Sequence, residues 1–303
     1  MPADPYAAAY ALAAEQDDVL LTCQATAFGL TDWQQRTFRS AHDLPLPRGA
    51  LALPPVRNPL RTQARATRLL LPDAAISYVT GARLHGLGGL QFWTPRELVD
   101  ATLPPGATRW QKPTTRLHFQ PLEAEDIVEI DGLLVTSVRR TLLDCGTVLA
   151  RDPFVCLLDS ALNKGLCTSE DLGLIAQALQ GKRRLASTWV ALADGRSEST
   201  SETRARLVLR DADLPPDDLQ IEVWTESGFH VARLDMGYVR KKRKVGVEVD
   251  SRWHDGPRAP YRDRDKLNAL RDLDWDVRLV TNWDSRKRPK YIVAQVSQAL
   301  GLR

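Results

Sequence analysis

The residues in this sequence best suited to chemistry are three carboxylates within one short stretch. From Arg233 to Asp250 the chain reads Arg-Leu-Asp-Met-Gly-Tyr-Val-Arg-Lys-Lys-Arg-Lys-Val-Gly-Val-Glu-Val-Asp. His230, Ala232, Leu234, Met236 and Tyr238 alternate with Val231, Arg233, Asp235 and Gly237. Val245, Val247 and Val249 alternate with Gly246, Glu248 and Asp250. Two segments of period two joined by a polar run predict a β-hairpin. A tight turn on Lys241-Lys242 pairs Arg240 with Arg243, Tyr238 with Val245, Asp235 with Glu248 and Arg233 with Asp250. That register puts every apolar side chain on one face, as a buried sheet face demands. It also sets Asp235 directly opposite Glu248. Carboxylates so placed lie about 5 Å apart at Cβ and repel. A hard divalent cation would offset the repulsion, because Mg²⁺ uses one or two carboxylates and completes its shell with water and phosphate oxygens. The competing reading is a solvated acidic face paired to Arg233 and Lys244.

The elements that must position this hairpin run from Gly195 onward. Thr200 to Ala212 is a predicted helix with Ala205, Val208, Leu209 and Ala212 on one side, and Ser199 and Glu202 have capping-box spacing. A strand over Gln220–Trp224 precedes the hairpin. A loop over Ser251–Pro260 carries Trp253 and His254. A helix over Tyr261–Leu273 turns Leu267, Leu270 and Leu273 inward and Arg262, Arg264 and Lys266 outward. A strand over Asp276–Thr281 runs parallel to an earlier one if that helix crosses over, and a helix over Pro289–Leu300 closes the chain.

Upstream, residues 6–54 read as a small winged helix: helices over Tyr6–Glu15 and Cys23–Phe28, a turn at Gly29, and a third helix from the N-cap Thr31 to about Ser40. That helix would turn Gln34, Gln35, Arg36 and Arg39 toward a major groove and its phosphates. A wing hairpin is expected over Pro45–Leu53, around Arg48-Gly49. The competing reading is a three-helix bundle without DNA contact. Residues 61–190 mix helices over 61–71, 77–87, 139–149, 152–163 and 169–179 with short strands over 98–103, 116–119 and 133–136. His85 and His118 have no partners at metal-ligand spacing and read as structural. A further helix over Ser187–Ala193 leads to a boundary near Asp194.

The helix–strand–hairpin–helix–strand order, with an acid followed by Glu-x-Asp, resembles the PD-(D/E)XK restriction-endonuclease-like superfamily, in particular its very-short-patch-repair-endonuclease-like branch. The pieces that carry the resemblance are Ser199-Thr-Ser-Glu202-Thr-Arg-Ala-Arg206, Arg233-Leu-Asp235, Val247-Glu-Val-Asp250 with His254, Arg262-Asp-Arg-Asp-Lys266 with Leu270, and Trp275-Asp-Val277. They cover roughly the last third of the chain. Residues 15–54, Ile76–Gly86 and Gly132–Asp144 resemble the abortive-infection type IV antitoxin family, which pairs a winged helix with a second α/β domain in transcriptional repressors. The architecture implied is multi-domain α/β: a winged-helix DNA-binding domain at 1–55, an antitoxin-like α/β domain with a helical end at 56–194, and a restriction-endonuclease-like domain with a mixed central sheet at 195–303.

The resemblance implies metal-dependent phosphodiester hydrolysis. Asp235, Glu248 and the carbonyl of Val249 would bind Mg²⁺ or Mn²⁺, with Asp250, His254 and Glu202 completing the catalytic set. Gln35, Arg36, Arg39, Lys241, Lys242, Arg262 and Lys266 would contact nucleic acid. The superfamily's lysine is replaced by Asp250, as in the named branch. Ser251 stands where that branch has glycine, and Asp274 precedes Trp275 where glycine is more usual.

The totals frame this reading. With 303 residues, 43% hydrophobic and 26% charged, the chain is globular and long enough for two or three domains. No apolar run reaches the length of a membrane span, and the N-terminus lacks the basic region of a signal peptide, so a cytoplasmic protein is expected. Cys23, Cys145, Cys156 and Cys167 form no short-spacing motif, which fits reduced thiols and no zinc site. Of the net charge of +3, the part from Gly195 onward contributes 22 Lys and Arg against 18 Asp and Glu. The excess sits in Arg240–Lys244 and in Arg286, Lys287, Arg288 and Lys290, which suits a polyanionic partner. DNA is the expected partner. RNA, a homodimer and a toxin partner stay open, because phosphate contacts do not identify the sugar. The alternative function is a non-catalytic DNA-binding regulator of the antitoxin kind, with the nuclease fold kept as a scaffold.

Overall fold

The computed structural model describes residues 5–41, 43–107, 113–240, 243–250 and 259–302, leaving aside the side chains of 5 and 259–263. Thirteen α-helices and three β-sheets lie among the described residues, so the protein is mixed α/β. The chain divides into two compact units, residues 1–148 and 149–303.

In the first unit, α1 (Pro5–Glu15) leads into β1 (Val19–Leu21), α2 (Thr22–Ala27), α3 (Asp32–Ser40) and β2 (Ala50–Ala52). Gly29, at φ 85°, makes the left-handed turn between α2 and α3, where a Cβ would be strained. The Thr31 hydroxyl accepts the Gln34 N–H, as its N-cap position requires. The expected hairpin over 45–53 does not form. β2 instead pairs antiparallel with β1, Val19 opposite Ala52, because Val19 and Leu20 need an apolar partner and are fully buried. The rest of the unit is α4 (Pro59–Leu70), β3 (Ala75–Ile76), α5 (Tyr78–Leu84), β4 (Val99–Leu103), β5 (Thr115–Phe119), β6 (Ile127–Ile130), β7 (Leu133–Thr136) and α6 (Val138–Val148). Its five strands order β5-β4-β3-β7-β6 in a mixed sheet. His85 and His118 are structural here. The His85 ring meets the Thr136 carbonyl at 2.7 Å, and His118 lies 2.9 Å from the buried Asp100 and stacks on Tyr78.

The second unit opens with α7 (Arg151–Asn163), α8 (Ser169–Lys182) and α9 (Arg184–Val190). It continues with α10 (Thr200–Asp211), β8 (Asp218–Trp224), β9 (His230–Arg240), β10 (Arg243–Asp250), α11 (Ala259–Asp272), β11 (Trp275–Thr281), α12 (Asn282–Lys287) and α13 (Pro289–Leu300). The helices α7 to α9, read from sequence with the central segment, pack in this unit. Buried Asp159 on α7 accepts Arg206 Nη2 at 2.7 Å and Thr203 Oγ1 at 2.8 Å from α10, and the Asp194 N–H at 2.7 Å. Gly195 lies so close to α7 that a Cβ would sit 2.6 Å from that of Leu162.

The four strands order β11-β10-β9-β8, with β10 and β11 parallel and joined by α11. Each face of the sheet has its own core. Met236, Tyr238, Val245, Val247 and Val249 pack under α10 and α13. Ala232, Leu234, Trp275 and Leu270 form the other cluster, on the α11 side. Burying each Val, Leu or Met side chain among these contributes roughly 1.5–3 kcal/mol.

Removing the Asp159 carboxylate would leave the Arg206 guanidinium buried without its partner. Asp159→Ala should cost about 3–5 kcal/mol, read as a fall in the urea midpoint of the whole chain. A loss under about 1 kcal/mol would show that α7 is not anchored through this ion pair.

Candidate active site

The hairpin register expected from sequence holds from Arg240 opposite Arg243 to Met236 opposite Val247, and there the ladder stops. Asp235 and Glu248 are therefore not a directly paired couple, and Arg233 lies opposite Glu222 of β8 rather than Asp250. The reason is a change of face in β9. Gly237 and Gly246 are partners in the ladder, so their Cβ positions point to the side opposite Met236 and Val247. A Cβ on Gly246 would meet Leu234 at 2.6 Å, and one on Gly237 would meet Ile221 at 3.0 Å and Trp275 at 3.5 Å. Leu234 thus packs on the other side of the sheet from Met236. The expectation that all apolar residues of the hairpin share one face is corrected accordingly. The irregular backbone lies beside Asp235, where Gln220 of β8 adopts φ 53° between partners Leu219–Met236 and Ile221–Leu234.

This break gives Asp235 its setting. Its Oδ2 accepts the Val249 N–H at 2.7 Å, taking the place of a ladder carbonyl. Glu248 sits on β10 beside Leu279 of β11. Lys266 of α11, expected to face nucleic acid, instead places Nζ 2.5 Å from Glu248 Oε1. Glu202 of α10 is buried. Its backbone N–H is capped by Ser199 Oγ at 3.2 Å. Its carboxylate takes the Glu198 N–H and the Gln220 amide, both at 2.9 Å, so only half of a capping box forms. Burial is the first cause that pushes the Asp235 carboxyl up, to about 6. The charges of Glu202 and Glu248 add to it, against the Val249 N–H and Lys266. Glu248 and Glu202 are therefore electrostatic neighbours of Asp235.

The other expected residues are scattered. Asp250 ends β10 and is exposed, aligned with Thr281 of β11. Val249 is buried with the α10–α13 cluster, and its shown role is the N–H given to Asp235. His254, Lys241 and Lys242 lie outside the described residues, as does the side chain of Arg262. The flanking Arg240 and Arg243 stand at the end of the hairpin remote from Glu248, about 17 Å along the strand at about 3.3 Å per residue. Arg243 donates to the Ala299 carbonyl at 2.7 Å, at the C-terminal end of α13, where a cation is favoured. Gln35 is buried, and its amide donates to Thr26 Oγ1 and the Leu30 carbonyl at 3.0 Å, so it holds the α2–α3 turn and does not face outward. Arg36 and Arg39 are exposed on α3, with Arg39 bonded to Thr22 Oγ1 at 2.9 Å.

The carboxylates offer hard oxygen donors, and the raised Asp235 carboxyl marks a place where added positive charge is stabilising. They fit Mg²⁺ held through one or two carboxylates with water completing the shell. They do not form an all-protein cage, since no group of three or more His, Cys, Asp or Glu among the described residues is arranged to hold a metal ion. Sequence reasoning missed Gln220, whose amide ties Glu202 beside Asp235. Its only signal is a polar residue at the start of an apolar strand. The four cysteines are free thiols, and among the described residues no helix is long and apolar enough to cross a membrane.

No family model matches the chain. Two proteins of Mycobacterium tuberculosis, uncharacterized proteins MT2308 (strain CDC 1551) and Rv2248 (strain H37Rv), are each 27% identical over 224 residues. The match spans 73% of this chain and 79% of theirs. The crystal structure of the RV2827C protein from Mycobacterium tuberculosis superposes with a TM-score of 0.39 at 16% identity, over 72% of this chain and 87% of that one.

The raised carboxyl has a consequence for stability. A folded-state pKa of about 6 against an unfolded value of about 3.9 means the folded chain holds this proton more tightly. The associated stabilisation is full at acid pH and is lost as pH rises from about 4 through about 6. Asp235→Asn removes the charge and keeps an acceptor for Val249. In EDTA it should stabilise the chain by about 1–2 kcal/mol at about pH 8, allowing for solvent screening, and the gain should shrink toward zero near about pH 4. Urea unfolding across that range checks this. A variant no more stable than wild type at the alkaline end would contradict the setting described for Asp235.

Proposed function

We propose that this chain is a Mg²⁺-dependent endonuclease-like protein that hydrolyses phosphodiester bonds of DNA, built as a winged helix, an antitoxin-like α/β segment and a restriction-endonuclease-like domain. One observation carries the reading: where β9 changes face, Asp235 is withdrawn from water within the electrostatic reach of Glu202 and Glu248, with the Lys266 ammonium on Glu248. The element order supports it too, as a helix, three antiparallel strands, a crossover helix and a parallel strand is the order the resemblance implies. Mn²⁺ would serve in place of Mg²⁺.

In this reading Asp235 and Glu248 would hold the metal, which when bound would supply Lewis acidity and a water of lowered pKa. Asp235 reaches that role because the Val249 N–H fixes its Oδ2, leaving the group oriented before any ligand arrives. Glu202, held by the Gln220 amide and the Glu198 N–H, adds negative charge that strengthens cation binding without moving. Lys266 balances Glu248 in the resting protein. It would be able to donate to a phosphate oxygen if Glu248 held a metal, the charge role that Asp250 cannot fill.

Asp235→Asn should lower Mg²⁺-dependent cleavage of DNA at least a hundredfold while leaving DNA affinity within about twofold, measured on labelled DNA with Mg²⁺ and with EDTA. Equal cleavage by variant and wild type would overturn the assignment.

A second reading is favoured by the same ion pair. With Glu248 neutralised by Lys266, the chain would need no metal and would act as a DNA-binding regulator through Arg36 and Arg39 on α3. It predicts salt-sensitive DNA binding by the whole chain that falls about tenfold in the Arg36→Ala/Arg39→Ala double variant, with no cleavage by wild type in Mg²⁺ or Mn²⁺. Binding that is indifferent to that double variant would remove this reading.

A further inference from the structure

Exposed aromatic side chains stand at the end of the four-stranded sheet toward which β10 carries Glu248. β8 ends at Trp224 and β9 begins at His230, while β10 ends at Asp250 and β11 at Thr281. β9 is antiparallel to both β8 and β10, and β11 is parallel to β10. The β8–β9 turn, the end of β10 that carries Glu248 and the start of α12 therefore lie at the same end. At the β8–β9 turn Trp224 is 55% exposed and Phe229 is 72% exposed. On α12 Trp283 is 56% exposed. Three large aromatic side chains left in water at one end of the sheet offer flat surface on which rings can stack.

The turn that carries the first pair is held in place. The Thr225 N–H donates to the Phe229 carbonyl at 2.8 Å, and the Phe229 N–H donates to Thr225 Oγ1 at 2.9 Å. Trp224 is braced edge-on by the His230 ring, with centroids 4.8 Å apart, and His230 is itself paired with Glu222. Glu226 lies in the same turn, so this side offers stacking surface without positive charge. The α12 side offers both. The Arg288 guanidinium lies 5.6 Å from the Trp283 ring and 4.1 Å from that of Tyr291, and Arg286, Lys287 and Lys290 are exposed beside it. The contrast with the other basic run matters, because Arg240 and Arg243 stand at the far end of the sheet.

We propose that Trp224 and Phe229 on one side, and Trp283 with its arginine and lysine neighbours on the other, form a stacking site for unpaired nucleotides on either side of the carboxylates. This rests on the nuclease reading and names its substrate class: single-stranded or locally unpaired nucleic acid. Two physical points select unpaired bases. The aromatic faces can receive a base only if that base has left its own stack, and the cations on α12 follow the backbone of whichever strand supplies it. From His230 to Asp235 the strand advances about 17 Å, more than the spacing between neighbouring nucleotides of an unstacked strand. The turn therefore engages bases removed from the bond held at Asp235 and Glu248, and α12 engages those on the opposite side.

The test uses the full chain in EDTA, so that binding is read without cleavage, and fluorescence anisotropy with labelled DNA of about 20 nucleotides, single-stranded or annealed to its complement. Trp224→Ala/Phe229→Ala and Trp283→Ala should each weaken single-strand binding about five- to tenfold and leave duplex binding unchanged, and Trp283→Phe should restore most of the loss. Variants that bind single strands as well as wild type, or that lose single-strand and duplex binding equally, would overturn the proposal. So would aromatic variants that change only self-association in light scattering, which would assign the surface to a protein. The nuclease reading is judged separately: absence of Mg²⁺-dependent cleavage with aromatic-dependent single-strand binding retained would remove the catalysis and keep the binding site.

Discussion

The bond from the Val249 N–H to the Asp235 carboxylate decides how the end of this sheet is built. A regular hairpin would have satisfied that N–H with a main-chain carbonyl and placed Asp235 among exposed residues of one face. Here the carboxylate takes the carbonyl's place, the ladder ends at Met236 and Val247, and β9 passes Leu234 to one core and Met236 to the other. A buried polar donor must find a partner, so the carboxylate cannot be removed without leaving that N–H bare. The same geometry explains its raised proton affinity, since it sits partly out of water between Glu202 on one helix and Glu248 on a neighbouring strand. A carboxylate in that setting is costly to ionise, because burial and two neighbouring acids both disfavour its charge.

Strand direction then sorts the charges. Arg240 and Arg243 are close to Glu248 in sequence and distant in space, because an extended strand separates them from the acid. Arg243 serves the end of α13, and Arg240 lies near Asp217 at 3.5 Å. The run at Arg286–Lys290 is far away in sequence and falls at the carboxylate end, because parallel pairing of β10 with β11 delivers α12 there. Proximity along the chain misled in the first instance and proximity across the sheet corrected it.

In the second unit, the buried Asp159–Arg206 pair holds α7 to the helix that also carries Glu202. That anchoring places α7 with the four-stranded sheet, where sequence composition had suggested a break near Asp194. The first unit shows a comparable substitution of partners. Val19–Leu21 supplies the strand that β2 needs, and Gln35 spends its amide on the α2–α3 turn, so the outward surface of α3 rests on Arg36 and Arg39.

Much of this was legible along the chain. Period-two alternation marked β9 and β10 and singled out Asp235 and Glu248. Helical spacing marked α10, α11 and α13, and the N-caps at Thr31, Thr168 and Ser199 are local features that sequence specifies directly, each accepting the N–H of the third helical residue. These are consequences of short-range geometry, in which a residue type and its near neighbours set the outcome. What only the tertiary structure decided were relations between elements: the Lys266–Glu248 ion pair across a helix–sheet contact, the Gln220 tie to Glu202, the face change beside Asp235, and the gathering of Trp224, Phe229 and Trp283 at one end. Each depends on backbone irregularity or on where a distant segment returns, and those follow from packing the whole chain, which no local pattern encodes.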